Sequence, residues 1–264
     1  MTVENGVIAA RERRQVIARL LDEEGRVSVA ELARRFGVTD VSIRRDLMIL
    51  EDAGRLRRVH GGAVTTSRNR RDGAYATKAR ENRDLKTRIG LAAAALIRPE
   101  DVVVFDSGST VAQVAVHTPA ALRRGSAITV VTNSLPVIEE ISGWDGPHLI
   151  VLGGLYLPDH QALVGPQTIA DLRELSADIG FIGCDGLTEE TGLTTPHVLV
   201  AEVGATMVGR ARRVVAVADA TKLGRRGFTP IAPLRAIDVL VTNEEADTTQ
   251  VQLVRDAGIE VILT

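Results

Sequence analysis

The pentapeptide Asp106-Ser107-Gly108-Ser109-Thr110 lies between a β-branched run, Asp101 to Phe105, and a helical run, Val111 to His117. Small hydroxyl residues between a strand and a helix N-terminus make an anion site, because unpaired backbone N–H groups and the helix dipole both favour negative charge. The lysine of a GxxxxGK[ST] phosphate loop is missing, so this is not a P-loop. Lys222 offers a compact positive charge to a phosphate or ring oxygen. Asp106 and Asp185 can accept hydrogen bonds from sugar hydroxyls. Thr132, Asn133 and the backbone of Gly153 and Gly154 are expected to shape the walls, with Gly186 beside Asp185. Taken singly, each of these residues also has an ordinary reading as a cap or a turn.

A second cluster carries recognition chemistry. Thr39, Ser42, Arg44 and Arg45 open a helical run, and Arg57, Arg58 and His60 follow in a short basic strand. Arginine pairs bidentately with guanine or clamps a phosphate, and serine meets either. Recognition helices read bases with their first turns, where Arg44 and Arg45 fall. The competing reading is a solvated face on an ordinary three-helix unit. His60 has no nucleophile beside it in sequence and reads as structural or phosphate-near.

The elements that position this second cluster are legible from periodicity. Val16, Ile17, Leu20 and Leu21 give a helix from Arg11 to Glu24, stopped at Gly25. Ser28 and Glu31 have capping-box spacing, and Leu32 and Phe36 continue an apolar face. Gly37 permits a sharp turn, and Thr39 is the expected N-cap of the next helix. Ile43, Leu47 and Leu50 face that unit's core, which leaves Asp40, Ser42, Arg44, Arg45 and Met48 on the other side. Gly54 closes the helix, and Gly61-Gly62 turns the chain into a return strand at Ala63-Val64, forming a wing. Thr65 to Asp84 is polar and reads as a connector, in which Arg68, Arg70 and Arg71 are spare cations.

Beyond it, a helix is expected from Leu85 to Pro99, and strands alternate with helices. Strands are expected at 101–105, 128–131, 149–152, 179–182, 214–218, 239–241 and 261–263, and helices near 135–142, 166–175, 198–211 and 247–257. Short buried strands alternating with helices imply a largely parallel sheet covered on both faces. Ligands bind such sheets outside the carboxyl ends of the strands, where small and polar residues collect here.

GRVSVAELARRFGVTDVSIRRDLMILEDAGRLRRVHGGAV, and above all IRRDL (Ile43–Leu47) and RVHGGAV (Arg58–Val64), resembles the DNA-binding domain of DeoR-family bacterial repressors. DSGST, TNS, LGG, LVGP, GCDG, GLTTP and ADATKLG, in that order, resemble the effector domain of the same family. The resemblance implies a winged helix-turn-helix domain over 1–66, a linker over 67–84, and a larger α/β effector domain with a mostly parallel sheet over 85–264. It implies Ser42, Arg44 and Arg45 as DNA contacts, operator binding as a homodimer or homotetramer, and repression of carbohydrate-metabolism genes. The effector domain is similar in fold to ribose-5-phosphate isomerase and glucosamine-6-phosphate deaminase, which implies a sensor for a phosphorylated sugar or related metabolite. Leu157, within LYLPDHQ, stands where relatives commonly carry arginine or another polar residue.

Composition agrees with that division. Residues 1–88 hold 20 lysines and arginines against 13 acidic residues, whereas 89–264 hold 12 against 21. A basic head on an acidic body fits nucleic-acid binding by the head. The single cysteine, Cys184, rules out an intramolecular disulfide, and no Cys/His cluster has zinc spacing, so no metal or cofactor is expected. There is no signal-peptide pattern and no apolar run of about 18 residues, so a cytoplasmic protein with no membrane partner is expected. The alternative function is a sugar-phosphate isomerase- or deaminase-like enzyme, with Asp106, Asp185 or Glu202 as acid/base and Lys222 stabilising an enediolate. A DNA-binding head argues against it.

Overall fold

The computed structural model describes residues 10–264 except 25, 54, 60, 66–74 and 126. The expected helix stops Gly25 and Gly54, the candidate DNA contact His60, and Arg68, Arg70 and Arg71 lie outside the described residues. The chain forms two compact units, Met1–Ala74 and Tyr75–Thr264.

In the first unit, α1 (Ala10–Glu24), α2 (Val29–Phe36) and α3 (Asp40–Asp52) enclose Ile17, Leu21, Val27, Leu32, Ile43, Leu47 and Leu56. Both expected caps form. Ser28 Oγ accepts from the Glu31 N–H at 3.4 Å, and Thr39 Oγ1 accepts from the Ser42 N–H at 3.3 Å. Gly37 is left-handed at φ 63°, which allows α2 to end abruptly before α3. The wing has three strands rather than two: β1 (Arg26–Ser28) pairs antiparallel with β3 (Gly62–Thr65), which pairs with β2 (Leu56–Val59). Beneath α3, Asp46 is buried and ion-paired to Arg13 at 2.6 Å and Arg14 at 3.1 Å.

The second unit opens with α4 (residues 75–80), inside the stretch whose composition reads as connector, and continues into α5 (Arg83–Ala94). Its seven parallel strands are β4 (Val102–Phe105), β5 (Thr129–Thr132), β6 (His148–Val151), β9 (Ala177–Gly183), β12 (Ala211–Val217), β14 (Val239–Thr242) and β15 (Glu260–Leu263). Their order is β15-β14-β12-β9-β4-β5-β6. Alternate residues serve opposite faces. Val103 and Phe105 pack with α5, α6 (Ser109–Val116) and α7 (Leu135–Ser142), while Val104 packs with α8 (Pro166–Arg173), α9 (Val198–Arg210) and α10 (Thr248–Asp256). Each such fully buried aliphatic or aromatic side chain stabilises the fold by about 1.5–3 kcal/mol.

The chain runs outward from β4 to β5 and β6, then returns to β9 on the other side of β4. The order in which the chain adds strands therefore reverses between β4 and β9, which opens a crevice at their carboxyl ends. Two small antiparallel sheets flank it. One is the hairpin of β7 (Leu155–Leu157) and β8 (Ala162–Val164). The other joins β10 (Gly186–Thr188), β11 (Gly192–Thr195) and β13 (Thr229–Ala232). No helix among the described residues is long and apolar enough to cross a membrane.

Candidate ligand cavity and DNA-facing surface

A cavity of about 380 Å³ occupies the crevice between β4 and β9. Asp106, Ser107, Gly108, Ser109, Thr110, Asp185 and Lys222 all line it, although they come from three separate segments. Gly108 makes this possible: at φ 129° it starts α6 with no side-chain cap, so the first N–H groups of the helix stay open to a ligand.

Asp106 forms the floor. Its Oδ1 accepts from the Ser107 N–H at 2.7 Å, and burial pushes its carboxyl up to about 7, against the opposing pull of the Ser107 and Gly183 N–H groups. Asp185 accepts from Lys78 Nζ at 2.7 Å and from Thr195 Oγ1 at 3.0 Å. Burial works to raise its pKa, but the Lys78 ammonium, Thr195 and Lys222 together hold it below the usual carboxylate range. Asp219 caps the turn Ala220–Lys222 by accepting from the Thr221 N–H at 3.1 Å, which sets Lys222 at the mouth.

Five of the wall residues expected from sequence do not line the cavity. Thr132 is fully buried and donates to the Phe105 carbonyl at 2.8 Å, tying β5 to β4. Asn133 Nδ2 donates to the Leu163 carbonyl at 2.8 Å and so holds the β7–β8 hairpin. The Gly153 carbonyl accepts from Thr168 Oγ1 at 2.6 Å, and a Cβ on Gly154 would sit 2.3 Å from that same hydroxyl. Gly186 begins β10 with the Arg225 carbonyl 2.2 Å from where its Cβ would lie. These three segments brace the sheet ends by close packing. Leu157 ends β7 and packs against the core, and the LYLPDHQ segment is the first strand and the turn of the β7–β8 hairpin. Glu202, the third acid/base candidate, is exposed on α9 away from the cavity.

Several lining residues were not among the expected site residues. Tyr75 and Lys78 come from α4, Glu81 and Asn82 from the following turn, and Lys86 from α5. Asp159 and His160 come from the β7–β8 turn, and Thr195 from β11. Lys86 is buried and its ammonium is lowered in pKa by burial first, then by Lys222 and Lys78 against the pull of Asp219 and Glu81. His160 is lowered by burial, Lys78 and His197. Burial pushes the Cys184 thiol up to about 12, which makes it a poor nucleophile at neutral pH. The periodicity of 75–90 contains the only signal that would have found α4, and its many charges hide it.

On the first unit, Arg44 and Arg45 are exposed on α3 and have no ion-pair partner among the described residues. Thr39 and Ser42 share a 3.1 Å hydroxyl contact at the start of the same helix. Arg58 stands on β2, with its N–H donating to Glu51 Oε1 at 2.8 Å and its guanidinium 3.4 Å from Glu51 Oε2. Arg44 and Arg58 line one groove between α3 and the wing. Val41, which sequence reasoning passed over, is 75% exposed in the first turn of α3. An apolar side chain displayed there suits a thymine methyl group.

A helix-turn-helix unit with free arginines, joined to an α/β unit with a polar cavity at its sheet's reversal point, defines the class of ligand-sensing DNA-binding regulators. Residues 13–69 match the DeoR-like helix-turn-helix domain and residues 81–244 match the DeoR C terminal sensor domain, so the chain belongs to the DeoR family. It is 34% identical to the HTH-type transcriptional regulator GlpR of Haloferax volcanii, over 97% of this chain and 98% of that one. It is 30% identical to the HTH-type transcriptional repressor GlcR of Bacillus subtilis, over 96% of each. Among solved structures it resembles the full-length sorbitol operon regulator SorC of Klebsiella pneumoniae (14% identity, TM-score 0.39, 96% of this chain and all of that one). It also resembles a ribose 5-phosphate isomerase of Methanocaldococcus jannaschii (20% identity, TM-score 0.39, 54% and 55%). The chain is a DNA-binding transcriptional regulator.

Proposed function

We propose that this regulator represses carbohydrate-metabolism genes by gripping operator DNA with α3 and the wing, and that a phosphorylated sugar bound in the cavity changes that grip. One observation carries the reading. The open N-terminus of α6, the hydroxyls of Ser107, Ser109 and Thr110, and the Lys86 and Lys222 ammonium groups converge on a single cavity that carboxylates also line. The donors suit a phosphate, and the acceptor Asp185 suits a sugar hydroxyl, with Asp106 beneath the donor loop. Thr39, Ser42, Arg44, Arg45 and Arg58 are the DNA-facing set, with His60 beside them in sequence. A homodimer or homotetramer suits this role, because paired recognition helices match two half-sites. Its work on operator DNA places it in the cytoplasm.

The enzyme alternative is weaker. Asp185 is engaged by Lys78, and Glu202 is exposed outside the cavity. A sensor binds without turnover, so the expected role is non-catalytic, with no metal or cofactor required. The test is a thermal-shift screen against sugar phosphates, followed by gel shift with operator DNA. A true effector raises the melting temperature and alters operator affinity. Turnover of the same compound, or unchanged operator affinity at saturation, defeats the reading.

A further inference from the structure

The contacts around α4 have an unusual feature: they use the groups that an anionic ligand would need. Ser109 Oγ, in the cradle at the start of α6, donates to the Lys78 carbonyl at 3.4 Å. Lys86 Nζ donates to the same Lys78 carbonyl and to the Glu81 carbonyl, the latter at 2.7 Å. Across the cavity, Lys78 Nζ donates to Asp185 Oδ1 at 2.7 Å. The carboxyl end of a helix carries partial negative charge, so the α4 carbonyls stand where an anion would.

A helix of this length is unstable alone and depends on its tethers for its position. Asn82, which joins α4 to α5, is left-handed at φ 53° and ψ 34°, a conformation that costs a non-glycine residue energy. Tyr75, the first described residue of α4, is also the first residue of the sensor unit. In chain order, α4 is therefore the sensor element nearest the DNA-binding unit.

We propose that α4 is an internal competitor for the cavity and that a phosphorylated sugar displaces it. The inference rests on the reading of the cavity as a sugar-phosphate site. The phosphate takes the Ser109 hydroxyl and the Lys86 ammonium from the α4 carbonyls. A sugar hydroxyl takes Asp185 from Lys78, whose side chain is already 44% exposed and passes easily into water. The ligand thus favours a state in which α4 is untied, and that difference in contacts is what a population shift requires. Operator affinity then follows the fraction of chains with α4 tied down.

Hydrogen exchange on the full chain tests this, with inorganic phosphate, ribose 5-phosphate and glucose 6-phosphate as probes. The reporter is the Glu81 amide, which donates to the Thr77 carbonyl at 3.0 Å in the tied state. A binding probe is expected to slow the amides of 109–112 and to speed those of 77–82 about tenfold. Lys78→Met is expected to speed the same α4 amides about threefold with no probe present, and to bind the probe more tightly, because a competitor is gone. Lys78→Arg keeps wild-type behaviour. Should Lys78→Met fold poorly, Asp185→Asn breaks the same pair from the other side and gives the same ligand-free speeding. Slowing at 109–112 with 77–82 unchanged or slowed overturns the competitor and leaves the cavity reading standing. No slowing at 109–112 with any probe overturns the cavity reading and the competitor with it.

Discussion

The DNA-facing surface and the ligand cavity hold their charges in opposite ways. Arg44 and Arg45 project from α3 with no ion-pair partner among the described residues, and Arg58 is only loosely tied to half-buried Glu51. In the cavity the charges are engaged: Asp106 by the Ser107 N–H, Asp185 by Lys78, Lys86 by two carbonyls, and Asp219 by the Thr221 N–H. A surface that meets a long polyanion keeps its cations available, because neutralising phosphates and releasing counterions supplies the affinity. A cavity that selects one small molecule can make its ligand exchange existing partners, because a compound that breaks the Lys78–Asp185 and Lys86 contacts without replacing them leaves polar groups unpaired. Free charge gives reach, and engaged charge gives selectivity.

One side chain in the first unit follows the cavity's rule, and its loss has the largest expected effect. Asp46 lies under α3 with Arg13 and Arg14, and only 3% of its side chain is exposed. Asp46→Ala removes a buried carboxylate that ion-pairs with both Arg13 and Arg14, which costs about 3–5 kcal/mol. That is comparable with the whole stability of a small domain. Calorimetry on the full chain should show the first unit melting early while the sensor unit's transition stays in place. A single transition at the wild-type temperature would mean that the pair holds nothing together.

Next in size is the effect of the free arginines. Arg45→Ala is expected to weaken specific operator binding by about 1–3 kcal/mol and to relax specificity at one position. Arg58→Ala should weaken binding to all sequences alike and lower the salt slope by about one. Neither change should alter the thermal shift produced by an effector. If Arg45→Ala leaves operator affinity intact, or if it also abolishes the effector shift, the contrast between free and engaged charge fails.

The same contrast explains which parts were legible in the sequence. The proposed recognition residues lie on one helix and one hairpin, so spacing alone groups Thr39, Ser42, Arg44 and Arg45 and predicts both caps. The sheet was legible for a similar local reason: β-branched runs such as Val102–Phe105 are buried on both faces and need no distant partner to be recognised. The cavity was legible only where a residue sat at a strand's carboxyl end, as Asp106 and Asp185 do. That rule over-reaches at Thr132, Asn133, Gly153 and Gly154, because a strand end away from the reversal point between β4 and β9 has the same local sequence and lies outside this cavity. It under-reaches at Lys78 and Lys86, which enter from helices and owe their positions to long-range packing. Short strands such as β7 and β10 escaped because three residues between turns carry no period.

The smallest expected effect sharpens the comparison at its most engaged group. Burial raises Asp106 to about 7, whereas the same carboxyl in an unfolded chain titrates near ~4. Between those values the folded state keeps a proton that the unfolded chain has lost, so this group's contribution to stability falls as pH rises through the window and levels off above about 7. Ligand binding should report the same titration. A sugar phosphate completes its second ionisation near ~6, which strengthens binding as pH rises from the acid side. Burial lowers the His160 pKa, so its charge is lost at a lower pH than that of an ordinary histidine. Above about 7, Asp106 becomes an anion beneath the cradle and repels the phosphate, weakening binding by about 1 kcal/mol. Affinity measured by calorimetry should therefore pass through a maximum near neutrality. Asp106→Asn accepts the same Ser107 N–H but cannot ionise, so it should keep the acid-side rise and lose the alkaline fall. Parallel wild-type and Asp106→Asn profiles would mean that the buried carboxyl does not face the bound anion, and that the cradle is filled from another direction.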